Sequence, residues 1–159
     1  ELFMLIEKDK RGIELQLLYS DENFSVPANV YIIGMMNTAD RSLAMLDYAL
    51  RRRFSFFTMK PGFNTPGFQA YQDSLKNDAF NKLIACVKQL NSKIAEDISL
   101  GEGFCIGHSY FCGLTPETAN AQILSSIVEY ELIPLLKEYW FDEPAKIVAW
   151  SDRLRSAVK

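Results

Sequence analysis

Apolar residues recur along this chain in two rhythms, and the change from one to the other divides it. Between residues 79 and 96, Phe80, Leu83, Ile84, Val87, Leu90 and Ile94 return every three or four positions, the spacing that lines one face of an α-helix. Residues 68 to 78 carry a shorter pattern of the same kind. From Ala121 to Trp140 a third stripe holds Leu124, Ile127, Val128, Leu132, Leu135, Leu136 and Tyr139, with Pro134 inside it. Proline cannot donate to the helix ladder, so this element is expected to kink or split there. A last helix is expected at about Pro144 to Val158.

The N-terminal part reads differently. Leu2, Phe3, Leu5 and Ile6 suggest a helix-like face, followed by the solvated run EKDKRG with Gly12 as a stop. IELQLLYSDENFSVP offers two β-like runs around the polar tip Ser20-Asp21-Glu22-Asn23, and a hairpin is expected. NVYIIGMM is apolar without alternation, as a strand is when both faces are covered, so it is expected to be the central strand of a parallel sheet. Thr38 to Arg41 would then be a loop at its carboxyl end, with Ser42 capping the short helix LAMLDYAL. FSFFTM is expected to be a second strand, closed by Pro61 and Gly62.

The Pro/Gly-rich joint PGFNTPG separates these regions. The expected fold class is α/β in residues 1–62, followed by all-α in residues 63–159. Two strands do not make a covered sheet, so further strands are expected upstream of Glu1 or from a second chain. The opening ELFMLIEK does not begin with methionine and has no helix-start signal, which suggests a piece of a longer polypeptide.

Composition narrows the function classes. The chain has 159 residues, 48% of them apolar, enough for one core or two small ones. A net charge of −3 argues against a non-specific grip on nucleic-acid phosphates, so DNA contact is expected through other domains. No apolar run approaches the ~20 residues of a membrane helix, and a cytoplasmic protein without membrane contact is expected. Cys86, Cys105 and Cys112 show no CxxC spacing, so they are read as buried thiols rather than as a disulfide or metal set. No metal ligands are assigned. The rings of Tyr139, Trp140 and Phe141 are read as packing groups, because no basic residues are interleaved with them as a base-stacking surface requires.

The densest chemistry lies in MNTADRSLAMLDYALRRRF, residues 36–54, with one amide, two acids and four arginines directly after the apolar strand. Ligands of open α/β sheets bind beyond the carboxyl ends of strands, where Asn37, Asp40 and Arg41 would project. An amide there can orient a water near a phosphate, a role suited to phosphoryl transfer. The same four residues, Asn37 to Asp40, also fit a polar turn satisfying its own backbone. Arg51, Arg52 and Arg53 end a helix, where solvation and the helix dipole favour positive charge. Three consecutive arginines cannot all face one way, so one is expected in a structural ion pair while another reaches a ligand, including one bound to a neighbouring subunit.

The stretch IIGMMNTADRSLAMLDYALRRRF resembles the segment from sensor 1 to the arginine finger of AAA+ NTPases, and in particular the McrB type, the GTPase subunit of 5-methylcytosine-specific restriction enzymes. GEGFCIGHSYF is similar to the same family. The resemblance implies the C-terminal part of an AAA+ P-loop module, a partial parallel sheet followed by a helical lid. By position, Asn37 matches sensor 1, Asp40 and Arg41 complete the signature loop linked to stimulation by a partner subunit, and Arg52 and Arg53 take the places of finger arginines acting across a subunit interface. Asp47 would be structural, paired with an arginine. NTAD also looks like the guanine-reading NKxD motif, but threonine replaces its lysine and guanine recognition is not inferred from it. His108 and Ser109 fall near the start of the lid, where they would either approach the nucleotide or tie the lid to the core; a sensor 2 arginine is not evident.

The resemblance further implies GTP and Mg2+ as cofactors of the intact protein, with ATP as the alternative, self-association into a hexameric ring, an endonuclease partner of McrC type, and translocation in restriction of modified DNA. A protein-remodelling AAA+ ATPase and a non-catalytic interaction domain are the alternatives. No GxxxxGK[ST] and no acidic pair on an apolar strand occur in these residues. These 159 residues alone are therefore expected neither to hydrolyse GTP nor to bind it tightly.

Overall fold

The computed structural model describes residues 2–37 and 51–159. The chain forms two compact units, Glu1–Thr58 and Met59–Lys159.

In the first unit the N-terminal apolar run makes two 3-10 turns, Leu2–Ile6 and Lys8–Lys10, where a helix-like face was expected. Runs this short gain too few hydrogen bonds to offset α-helix nucleation. Arg11 then ties the segment down, donating from Nε to the Ile6 carbonyl at 3.1 Å and from a terminal nitrogen to that of Val30 at 3.2 Å. Gly12 takes φ +79° and donates to the Val26 carbonyl at 2.9 Å, a backbone conformation that side chains disfavour. The expected hairpin is present: β1 (Leu15–Gln16) pairs antiparallel with β2 (Asn23–Phe24), Leu15 facing Phe24 and Gln16 facing Asn23. Asp21 at its tip has φ +54°, a region that Asp tolerates better than most residues.

The described residues are mostly helical, as expected of the second region, and the only sheet among them is the two-stranded antiparallel hairpin; the expected parallel sheet is not found among them. Residues 30–37 form no strand. Tyr31, Ile33 and Met35 are 89%, 92% and 99% exposed, alternating with the half-exposed Val30, Ile32 and Met36. Residues 55–59 likewise form no strand, with Phe56, Phe57 and Met59 exposed. Strand propensity is a fit to a pleated, covered surface, and no neighbouring strand is available among the described residues. The helix expected after Ser42, with Asp47, lies outside them.

The second unit is helical. α1 (Pro66–Leu75) starts from Thr65, whose hydroxyl accepts from the Phe68 N–H at 3.3 Å, and places Pro66 in its first turn, where the missing N–H costs nothing. α2 (Asp78–Glu96) is capped by Asn77, which accepts from the Phe80 N–H at 2.9 Å while its amide donates to the Ala119 carbonyl. All six residues of its expected apolar face are buried. The connection to the next helix is pinned twice. Asn91 accepts from the Ile106 N–H at 2.7 Å and donates to the Ile106 carbonyl at 2.9 Å. The Tyr71 hydroxyl donates to the carbonyls of Phe111 and Leu114 and accepts from the Leu114 N–H.

The third stripe resolves into α3 (Ala121–Ile127), a π turn (Val128–Leu132) and α4 (Ile133–Tyr139). The Ile133 N–H reaches back to the Val128 carbonyl, a five-residue step just before Pro134. The wide turn makes room for the proline ring, so the element runs on across it. α5 (Pro144–Ala157) packs against α2. The core comprises the faces of α1 to α5, with Phe63, Ile106, Phe111 and Trp140 between them.

Trp140 is buried as expected, and Tyr139 packs edge-on against Phe104, but Phe141 is 78% exposed. The cysteines depart from expectation. Cys86 and Cys105 are only half-buried and Cys112 is exposed, on a loop that leaves its thiol to hydrogen-bond the His108 carbonyl at 3.4 Å.

Candidate phosphate-facing site and lid contacts

The three consecutive arginines diverge. The Arg51 guanidinium lies over the Phe56 ring, 5.8 Å from its centroid. Arg53 donates from Nε to Glu7 at 2.7 Å, with its side chain 15% exposed and that of Glu7 33% exposed. Arg52 is exposed, and no partner is drawn to it among the described residues. Arg52 and Arg53 line a cavity of about 670 Å3 together with Ile6, Glu7, Lys8, Phe54 and Ser55. Three cations and one carboxylate, itself bound to Arg53, make a lining suited to an anion with several oxygens, such as a phosphate chain.

Asn37 is exposed and is not part of that lining. Asp40 and Arg41 lie outside the described residues. Among the described residues no group of His, Cys, Asp and Glu side chains could hold a metal ion. The arginine-lined cavity thus suits an anion, whereas its donor set does not fit Mg2+, which prefers carboxylate and phosphate oxygens.

His108 and Ser109 belong to the second unit. His108 Nδ1 accepts from the Gly62 N–H at 2.9 Å, which leaves the ring proton of the neutral form on Nε2. The ring stands edge-on to Phe63 and Phe68, and a Cβ added at Gly62 would lie 2.9 Å from its Cε1. Glycine at this position is what lets the imidazole close over the backbone. His108 therefore ties the 108–111 turn to the start of the unit, and Ser109 is exposed beside it.

A half-buried charge cluster went unnoticed in the sequence. Asp97 accepts from Trp140 Nε1 at 2.8 Å and from Lys146 Nζ at 2.7 Å, while the ammonium sits 4.3 Å from the Trp140 ring centroid. These donors, Lys146 first and then Trp140, hold the Asp97 carboxyl at about 2 against the opposing effect of burial. Burial pulls Lys146 down, but hydrogen bonds to Asp97 and Glu143 outweigh it and leave the ammonium raised. The nearest sequence signal was a helix-ending acid, Asp97, with nothing to mark its partners more than forty residues away.

Residues 82–148 match the family described as McrB, alpha-helical lid domain. The chain is 48% identical over 167 aligned residues to the type IV methyl-directed restriction enzyme EcoKMcrB subunit of Escherichia coli (strain K12), an alignment covering 97% of this chain and 36% of that protein. It is also 32% identical over 91 residues to the type II restriction enzyme BsuMI component YdiS of Bacillus subtilis (strain 168), covering 53% of this chain and 26% of that protein. The chain thus spans about a third of the first relative's length and a quarter of the second's. No helix among the described residues is long and apolar enough to cross a membrane.

Proposed function

We propose that this chain, which belongs to the McrB type of restriction-enzyme subunits and carries their helical lid, supplies phosphate-contacting groups to a GTP-hydrolysing AAA+ ring in a modification-dependent restriction system. The observation that carries the reading is the cavity beside Arg52. Two of its cations, Arg52 and Arg53, are set at the end of the motif that carries Asn37, and one of them, Arg53, is already held in place by an acid.

In this reading Asn37 orients the attacking water, and Asp40 and Arg41 complete the loop that responds to a partner subunit. Arg52, with Arg53 beside it, meets the nucleotide of an adjoining protomer. A guanidinium aimed at the transferring phosphoryl group offsets the charge that builds there, an effect worth ~10³ to 10⁵ in rate. GTP and Mg2+ belong to the intact protein, with the phosphate cradle and metal ligands outside these 159 residues. The McrC-type endonuclease and DNA engage other surfaces, in keeping with a net charge of −3. His108 and Ser109 couple the lid to the nucleotide indirectly, through the turn that His108 anchors.

The test is a mixing experiment on the intact, assembled protein. Arg52→Ala alone should lower GTP turnover by ~10³ or more while leaving GTP affinity within a few fold. Asn37→Ala should also be impaired, and mixed rings of the two variants should recover activity, because some interfaces then combine an intact Asn37 with an intact Arg52. Unchanged turnover in Arg52→Ala overturns the reading and favours an interaction domain without chemistry. Faster turnover of ATP than of GTP by the unaltered protein would instead assign the same site to an ATPase.

A further inference from the structure

The acid that holds Arg53 is Glu7, which lies in the run EKDKR and reads in the sequence as one more solvated charge. It comes from the turn between the two N-terminal 3-10 segments, 46 residues from its partner. Its carboxylate is two-thirds covered, and both groups line the same cavity as Arg52. The contact uses Nε, the inner nitrogen of the guanidinium.

We propose that Glu7 is a positioning residue for the arginine pair: its carboxylate fixes Arg53 at the cavity wall, so that Arg52 and Arg53 present a preset pair of cations to a phosphate chain. This rests on the reading of Arg52 and Arg53 given above. An arginine side chain has several rotors to order before it can serve in a transition state. A carboxylate bound to Arg53 removes that disorder in advance, while the charge of Arg52 on the same cavity stays available. Lys8 on the next position keeps the cavity cationic despite the acid.

The consequence is kinetic. Positioning that is lost without any contact to substrate lowers kcat and leaves nucleotide binding nearly intact, and small misplacements cost on the order of 10- to 100-fold. In the intact protein, Glu7→Gln, which keeps the shape and removes the charge, should lower kcat for GTP hydrolysis by about that factor. KM should change by less than about threefold. Glu7→Asp should retain part of the rate, and Glu7→Gln placed in an Arg53→Ala background should cause no further loss.

The proposal is overturned if Glu7→Gln and Glu7→Asp both keep the parental kcat while Arg53→Ala is slow, or if the two substitutions lower the rate additively. Ring assembly and melting of each variant, followed in parallel, separate a folding defect from a kinetic one. Should Arg52→Ala and Arg53→Ala both turn over normally, it is the underlying reading that fails, a result distinct from an impaired arginine with an indifferent glutamate.

Discussion

Asp97 satisfies both an indole N–H and an ammonium at an 11% exposed position. Its folded pKa of about 2 lies below the ordinary 3.8, so its stabilising effect is complete above about pH 4 and is lost as the pH falls toward 2. Allowing for residual solvent screening, the loss should be about 1–2 kcal/mol. Urea denaturation between pH 5 and pH 2.5 should show this decline, and Asp97→Asn should flatten that part of the profile while being less stable at pH 7. A variant with the parental acid slope would show that Asp97 is not its source. Neither this cluster nor the Glu7–Arg53 pair was legible in the sequence, because each joins groups separated by more than forty positions and each acid sits among ordinary surface charges. That one of the three arginines would enter an ion pair was legible, though its partner Glu7 was not. His108, read as either approaching the nucleotide or tying the lid to the core, accepts from the backbone N–H of Gly62 within the helical unit, a partner the sequence did not name.

At the scale of the element, what could be read depended on whether an element satisfies its own backbone. Helices do, and the apolar face of α2 and the span of α5 followed from spacing and composition, while α1 runs over Pro66–Leu75 rather than the expected residues 68 to 78. Strands do not, since their hydrogen bonds come from neighbours that the sequence of the strand never names. The hairpin succeeded because its partner lies across a short tip, whereas NVYIIGMM and FSFFTM carry strand propensity without a partner among the described residues. The stripe around Pro134 shows an intermediate case. A break was expected, yet the π turn absorbs the proline by adding a residue to the turn, and this rotates the following face. Ile133 is thereby buried, at 4% exposure, while Leu135 from the expected stripe is only partly so. Because the ladder already bypasses the ring, Pro134→Ala should change unfolding free energy by less than about 1 kcal/mol, far below the ~3 kcal/mol of a proline forced into a regular helix. Chemical denaturation measures this, and a gain of several kcal/mol would mean that the turn is strained rather than adapted.

At the scale of the whole molecule the two units differ in kind. Every buried apolar side chain among the described residues belongs to the second unit, except Leu5 and Val26. A core of that sort, drawn from five helices and the turns between them, is enough for a domain of about a hundred residues to fold unaided. The first unit leaves Tyr31, Ile33, Met35 and Phe57 almost fully exposed, an apolar surface that gives little return for the chain entropy of ordering it. Residues 59–159 alone should therefore keep their helical circular dichroism and unfold in one cooperative urea transition. Residues 1–58 alone should show no cooperative transition and should bind a hydrophobic dye. A broad, dye-binding transition for residues 59–159 would defeat this division of stability. If the division holds, the helical unit is stable by its own packing, whereas the first unit, with its two buried apolar side chains among the described residues, draws little stability from a core of its own.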